Sequence, residues 1–182
     1  MEIILFIFII IVFIFGILEY RFHKNNLLKI PIRIHVNGSR GKSSVVRLIA
    51  AGLRQGGLKT YAKTTGTSPR IINEKGQDKY IHRLRSASIG EQISLIRFFS
   101  KLNPDVLVIE CMAVNPQYQW VSEQKIIQST IGVLTNVRPD HLDEMGINLE
   151  QITKSMANTI PFNGVMVTSE EKKLNILESI SH

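Results

Sequence analysis

Ten residues, His35 to Ser44, read HVNGSRGKSS, and their types suit the binding of a phosphate chain. Gly38 and Gly41 permit the bends that turn successive N–H groups toward one anion. A helix starting at Lys42 would add the positive end of its dipole. Lys42 can reach the β- and γ-phosphates of a nucleotide, and the Ser43 hydroxyl can ligate Mg2+. The complete pattern is G-x-x-x-x-G-K-[ST]; Val36 stands where its first glycine would be, leaving G-x-x-G-K-S. A glycine-rich turn capped by Ser43 would use the same residues without a ligand. The apolar strand pattern before the loop and the amphipathic helix after it favour the nucleotide. Asn37, Gly38, Ser39, Arg40, Gly41, Lys42, Ser43 and Ser44 are the expected contacts.

Two later stretches carry further reactive groups. Glu110 ends the apolar run DVLVIECM, and ligands of open α/β sheets bind beyond the carboxyl ends of strands. A carboxylate there, beside Lys42 and Ser43, can ligate Mg2+ directly or through water; the alternative is a paired structural acid. Asn136, Asp140 and His141 follow a second apolar run in LTNVRPDHLD. Asp140 can orient His141 or serve as a turn residue, and His141 can be a ligand or a loop histidine. Thr64, Thr65 and Thr67 can contact phosphate or an acceptor, or simply form a turn. Arg70, Arg83 and Arg85 can clamp an acidic substrate, or lie on the surface as isolated charges. Thr65, Thr67, Arg70 and Arg85 are the substrate candidates. Cys111 is expected in the core, and Trp120 with Tyr118 as packing.

These groups need a frame in which strand ends converge. Residues 30–38 read as a strand and Lys42 to Gln55 as a helix with Val45, Leu48, Ile49 and Leu53 on one face. A second strand spans 58–64, and residues 71–88 form an irregular hairpin or loop. Helices are expected over 91–102, 118–128 and 149–160, and strands over 105–112, 129–137 and 164–169. Near-continuous apolar strands alternating with helices predict an α/β fold, a P-loop-type and mostly parallel sheet with helices on both faces.

From Ile3 to Leu18 every residue is apolar or glycine, and no core helix of a small domain is apolar all round. The run is close to the roughly 20 residues that span a bilayer. Basic residues follow it and no small-residue cleavage site does. The expected organisation is a transmembrane anchor over 1–20, a basic juxtamembrane linker over 21–30 and a nucleotide domain over 31–182 at the cytoplasmic face. The net charge of +7 and pI near 9.7 suit an anionic partner. No Lys/Arg block with interleaved aromatics points to nucleic acid, so none is expected. The single cysteine rules out an intrachain disulfide and fits a reducing compartment.

Taken together, G-x-x-G-K-S, the strand-end Glu110 and LTNVRPDHLD resemble the Mur ligase superfamily of ATP-dependent amide-forming ligases. NGSRGKSS, KTTGT, IGEQ, ECMAVNP and NVRPDHLDEMG resemble, within it, the membrane-associated poly-γ-glutamate synthase subunits (PgsB/CapB type). The resemblance implies ATP and Mg2+ as cofactors. It implies Lys42, Glu110 and His141 as catalytic residues, Asn136 as a nucleotide contact, and Ser43, Glu110 and His141 as metal ligands. Glutamate, poly-γ-glutamate and other membrane subunits of a polymer synthesis and export complex would be partners. A folylpolyglutamate-synthase-like ligase and a non-catalytic nucleotide-binding membrane subunit are the alternatives. Members are longer, so the nucleotide domain is expected to be incomplete and a C-terminal domain absent. Many members carry a carboxylated lysine on the helix after the D-H-L-D block; the matching position here falls near Ser155 or Met156, beside Lys154.

Overall fold

The computed structural model describes residues 2–66, 68–82 and 88–181. Helix α1, Glu2–Leu28, leads into β1, Ile32–Asn37, and the loop after β1 opens α2, Lys42–Gln55. Then come β2 (Thr60–Thr64), β3 (Arg70–Ile72), β4 (Asp78–Tyr80), α3 (Glu91–Ser100) and β5 (Val106–Glu110). Helix α4 (Pro116–Val121) passes into a π-helical segment, Ser122–Ile127, before β6 (Ile131–Leu134). The chain continues through α5 (Leu142–Met145), α6 (Leu149–Ala157), β7 (Val165–Thr168) and α7 (Leu174–Ser181).

The strands form one sheet in the order β4-β3-β2-β5-β1-β6-β7. Strands β2, β5, β1, β6 and β7 run parallel, and β3 and β4 close one side as an antiparallel hairpin. The expected parallel α/β frame is therefore present. The 71–88 region contains a true hairpin, with β3 added to β2. Helices α5 and α7 go beyond the sequence pattern. The first is a single turn and the second eight residues, both too short for a readable apolar period.

Strand β1 is the axis of the molecule, and its alternation has two meanings. Ile32, Ile34 and Val36 pack with Val46 and Ala50 of α2 in one core cluster. The intervening Arg33, His35 and Asn37 bond to the α4 and π-helical layer on the opposite face. The expected single helix over 118–128 is two structures. Asn115 caps α4 by accepting from the Gln117 amide at 3.0 Å, and the π-helical segment ends at Gln128 with φ 47°. A π-turn commonly marks a functional or constrained place in a helix. Here it contains buried Glu123, which meets His35.

Helix α1 runs without a break to Leu28, through most of the 21–30 stretch expected as a linker. Its outer part is exposed on all sides, and among the described residues it is the one helix long and apolar enough to cross a membrane. Its last turns are docked. His23, Asn26 and Leu27 are buried, His23 Nε2 lies 2.8 Å from the Ile126 carbonyl, and Ser100 donates to Asn26 Oδ1 at 3.0 Å. Helix α1 thus meets the sheet at the end where β1 starts, and the glycine loop that opens α2 lies at the end where β1 stops.

Candidate active site

The loop after β1 is held open by its neighbours. Gly38 has φ 136° and Gly41 φ 79°. At Gly38 a Cβ would stand 2.1 Å from Thr135 Oγ1, so close approach of the two loops requires glycine. The loop is laced to the segment after β6. Ser39 N–H donates to the Asn136 carbonyl at 3.0 Å, Thr135 Oγ1 to the Arg40 carbonyl at 2.8 Å and Asn136 Nδ2 to the same carbonyl at 3.0 Å. Asn136 Oδ1 in turn accepts from the Arg40 amide at 3.1 Å. Asn37 is buried beneath the loop, where its Oδ1 accepts from Gly38 N–H at 2.8 Å and its Nδ2 donates to Gln119 and Thr159. Asn37 and Asn136 therefore shape the loop. Lys42 Nζ folds back on the Gly38 carbonyl at 2.6 Å.

Strands β1 and β5 are neighbours, with Val36 level with Glu110. That register brings two distant residues together: Ser43 Oγ donates to Glu110 Oε2 at 2.8 Å. The same oxygen accepts the Thr65 amide at 2.7 Å, which ties the end of β2 into the site. Cis ligands of an octahedral ion at 2.0–2.1 Å lie about 2.8–3.0 Å apart, so the Ser43–Glu110 spacing fits two protein ligands of Mg2+. No group of three or more His, Cys, Asp or Glu suited to a metal occurs among the described residues. The remaining positions would fall to phosphate and water, as Mg2+ prefers.

Glu110 and Thr65 line a cleft of about 360 Å³ together with Gly38, Lys42, Asp140 and His141, within the range of small-molecule sites. His141 enters it from a left-handed position, φ 46°, at the start of α5. It lies 3.9 Å from Asp140, which is paired with Arg40 at 3.5 Å. Lys42, Glu110 and His141 thus share one edge of the sheet. Ser44 is on the exposed side of α2.

Other expected residues stand elsewhere. Arg70 sits on the hairpin, paired with Asp78 at 3.3 Å and stacked 3.9 Å from the Tyr80 ring centroid; it does not line the cleft. Thr67, Arg83 and Arg85 lie outside the described residues. Lys154 points away, 59% exposed and paired with Glu150 at 2.8 Å, while Met156 faces the cleft. Cys111 is buried as expected, yet it also borders the cleft. Trp120 and Tyr118, expected as packing, are 43% and 55% exposed. Thr135, which holds the loop at Arg40 and crowds Gly38, is a residue of the candidate site that the sequence reading misses. Its one signal is its place beside Asn136 just past a strand end, the position that draws attention to its neighbour.

Beneath the cleft lies a buried charge pair. His35 Nδ1 is 2.7 Å from Glu123 Oε2, and Glu123 Oε1 accepts from Ser129 N–H and Oγ at 2.8 and 2.9 Å. Burial alone would push the His35 pKa down; Cys111 and the Glu123 carboxylate outweigh it and hold it at about 9.

A model of the Mur ligase middle domain matches residues 36–176. The capsule biosynthesis protein CapB of Bacillus anthracis is 41% identical over 172 residues, covering 92% of this chain and 37% of the relative. PGA synthase CapB of Bacillus subtilis (strain 168) is 40% identical over 164 residues, 89% of this chain and 42% of the relative. The chain therefore spans about two fifths of the length of these relatives. Among solved structures, E. coli FolC in complex with ADP superposes with a TM-score of 0.70 at 16% identity, covering 89% of this chain and 44% of FolC. The apo form of L. casei FPGS gives 0.60 at 21% identity over 91% of this chain and 46% of FPGS; both likenesses concern the fold. With the phosphate loop, the strand-end acid and the match to residues 36–176 in agreement, the chain belongs to the Mur ligase family.

Proposed function

We propose that this chain is the membrane-anchored nucleotide-binding part of an ATP-dependent carboxylate–amine ligase that makes poly-γ-glutamate for a capsule or secreted polymer. The observation that carries the reading is the 2.8 Å contact between Ser43 and Glu110 at the edge that also holds Lys42. The roughly 40% identity to two CapB proteins supplies the substrate class.

Joining a carboxylate to an amine in water is uphill. Phosphorylation of a glutamate γ-carboxylate by ATP yields an acyl phosphate and ADP, and attack by the next amine then expels phosphate. Lys42 leaves the Gly38 carbonyl to meet the β- and γ-phosphates. Loop amides held by Asn37 and Asn136 face the phosphate chain, and Thr65 closes the side toward β2. Ser43 and Glu110 would hold Mg2+, which when bound offsets the charge of the phosphate oxygens. His141, beside Asp140, is the candidate ligand on the γ-phosphate side. Helix α1 holds the domain at the cytoplasmic face, in line with the basic residues at its end, where other membrane subunits would receive the polymer.

The test is ATP-dependent incorporation of glutamate into polymer by membranes carrying the full-length protein, with hydroxylamine added to trap the acyl phosphate as a hydroxamate. Glutamate-dependent ADP release without hydroxamate or polymer would overturn the ligase assignment. Protease added to intact cells should leave the domain uncut, and cleavage from outside would overturn the orientation.

A further inference from the structure

A second cavity, of about 690 Å³, lies where α1 meets the domain, and nothing in the ligase chemistry uses it. Its walls include Tyr20 and Lys24 of α1, Arg33 at the start of β1, Trp120 of α4, Lys125 of the π-helical segment and Phe162 before β7. Three are cations. Arg33 is fixed by hydrogen bonds to the carbonyls of Leu27, Ile30, Ile127 and Gln128, and Lys24 donates to Gln128 Oε1 at 3.1 Å. None of the three forms an ion pair among the described residues. The one acid in the wall, Glu123, is engaged by His35 and Ser129. The Arg33 charge also feels the Glu123 carboxylate, so the cations left for an outside anion are Lys24 and Lys125.

Its depth indicates which anion. Tyr20 and Lys24 are one helical turn apart, directly after the apolar run that ends at Leu18. A membrane-spanning α1 places them among lipid headgroups, where aromatic and basic residues collect. Trp120 and Phe162 bring more aromatic surface, with Phe162 88% exposed. Lys125 Nζ stands 5.0 Å from the Trp120 ring centroid, so charge and apolar surface meet at one point. On the α3 side Arg97 lies 5.0 Å over the Phe22 ring, which extends the basic collar around α1.

We propose that this cavity binds the phosphate-bearing head of an anionic phospholipid, with Lys24 and Lys125 on the phosphate and Trp120 and Phe162 against the upper acyl chain. The proposal rests on the reading of α1 as a membrane anchor. An acidic polymer is the weaker occupant. It would be made at the opposite edge of the sheet, separated by the length of β1, about 3.3 Å for each of its six residues.

Trp120 is the only tryptophan of the chain, so its fluorescence reports on lipid at this corner of the molecule, where it also borders two smaller clefts. The full chain in phosphatidylcholine nanodiscs would receive a small, equal fraction of either phosphatidylglycerol or phosphatidylcholine brominated near the head of the acyl chain. Brominated phosphatidylglycerol should quench Trp120 with an apparent affinity on the order of fivefold higher per engaged cation. Lys125→Glu and the milder Lys125→Gln should remove most of that preference while the chain still co-elutes with the discs. Equal quenching by the two lipids, or an unchanged preference in both variants, overturns the proposal. So does reversal by millimolar glycerol phosphate, inorganic phosphate or poly-γ-glutamate, because the site would then take soluble anions. A chain that does not co-elute with the discs overturns the anchor reading itself, a result distinct from co-elution without lipid preference.

Discussion

The two edges of the sheet are built in opposite ways. At the edge where β1 ends, the chain leaves regular structure at once. Gly38, Gly41 and His141 have positive φ, and hydrogen bonds between side chains and main chain hold the two loops together. At the edge where β1 begins, helices meet closely. Polar side chains of α1 and β1 cover the last carbonyls of the π-helical segment, as His23 does at Ile126 and Arg33 at Ile127 and Gln128. One edge leaves the loop and Lys42 lining a cleft, and the other uses its polar groups to lock a helix in place. Arg33, His35 and Asn37 link them, a polar file on one side of a strand whose other side is apolar.

The largest effect should come from cutting that file at its centre. Glu123→Ala leaves His35 and Ser129 without their partner, and breaking a buried charge pair costs about 3–5 kcal/mol. Chemical denaturation in detergent measures it. The pH dependence sharpens the assignment. The His35 pKa is raised in the fold, to about 9, so the stability gained from charged His35 is full below its ordinary value of about 6.5 and is lost as pH rises through 9. The parent should weaken over that window while Glu123→Ala shows a flatter profile. Parallel profiles would mean that Cys111, rather than Glu123, holds the charge on His35.

Lys42→Ala addresses one edge alone. It removes a charge-assisted contact to phosphate worth about 1.5–3 kcal/mol, so ATP affinity by calorimetry on the full-length protein should fall about 10- to 150-fold. Unfolding of the nucleotide-free protein should hardly change. Unchanged ATP affinity would break the phosphate-loop reading.

The loop edge was legible because its chemistry depends on residue type. Glycine, lysine and serine at fixed offsets after an apolar run predict a phosphate loop, and Glu110 follows from the apolar pattern as a strand end, whereas His141 lies seven residues past β6 at the start of α5. The other edge was not. A basic stretch after an apolar run reads as a linker, since nothing local reveals the partners of His23 and Asn26, which lie 103 and 74 residues further along the chain. The π-turn was invisible for a related reason, as its extra residue is stabilised by the distant His35–Glu123 contact. Arg70 shows the converse, because a clamp for an acidic substrate and a partner for Asp78 demand the same side chain.

The two loop glycines share the cost of a positive φ, and only Gly38 adds steric crowding to it. At Gly38 an added methyl collides with Thr135 Oγ1 and N, whereas at Gly41 nothing lies within 4 Å. Gly38→Ala should destabilise by about 1–3 kcal/mol through overpacking, added to the cost of its positive φ, and weaken nucleotide binding as the loops part. Gly41→Ala meets only the left-handed backbone cost, about 1–2 kcal/mol. Thermal unfolding of both variants checks the order, and a larger loss at Gly41 would mean that conformation, not contact with Thr135, sets the loop.

The smallest effect is expected at a residue that belongs to neither edge. Lys154 stands close in sequence to the position where many Mur ligases place a carboxylated lysine, so proximity alone would assign it that role. Its surroundings do not. The side chain lies on the outer face of α6, bonded to Glu150 one turn away, and the cleft is faced by Met156. A helix advances about 100° per residue, so a shift of two positions carries a side chain to the other face. Lys154→Ala should leave ATP-dependent glutamate incorporation by the full-length protein unchanged at any bicarbonate concentration. Met156→Ala opens the cleft wall and should lower it. A loss of incorporation in Lys154→Ala that bicarbonate modulates would return this lysine to the active site and break the division between the reactive edge and the rest of the fold.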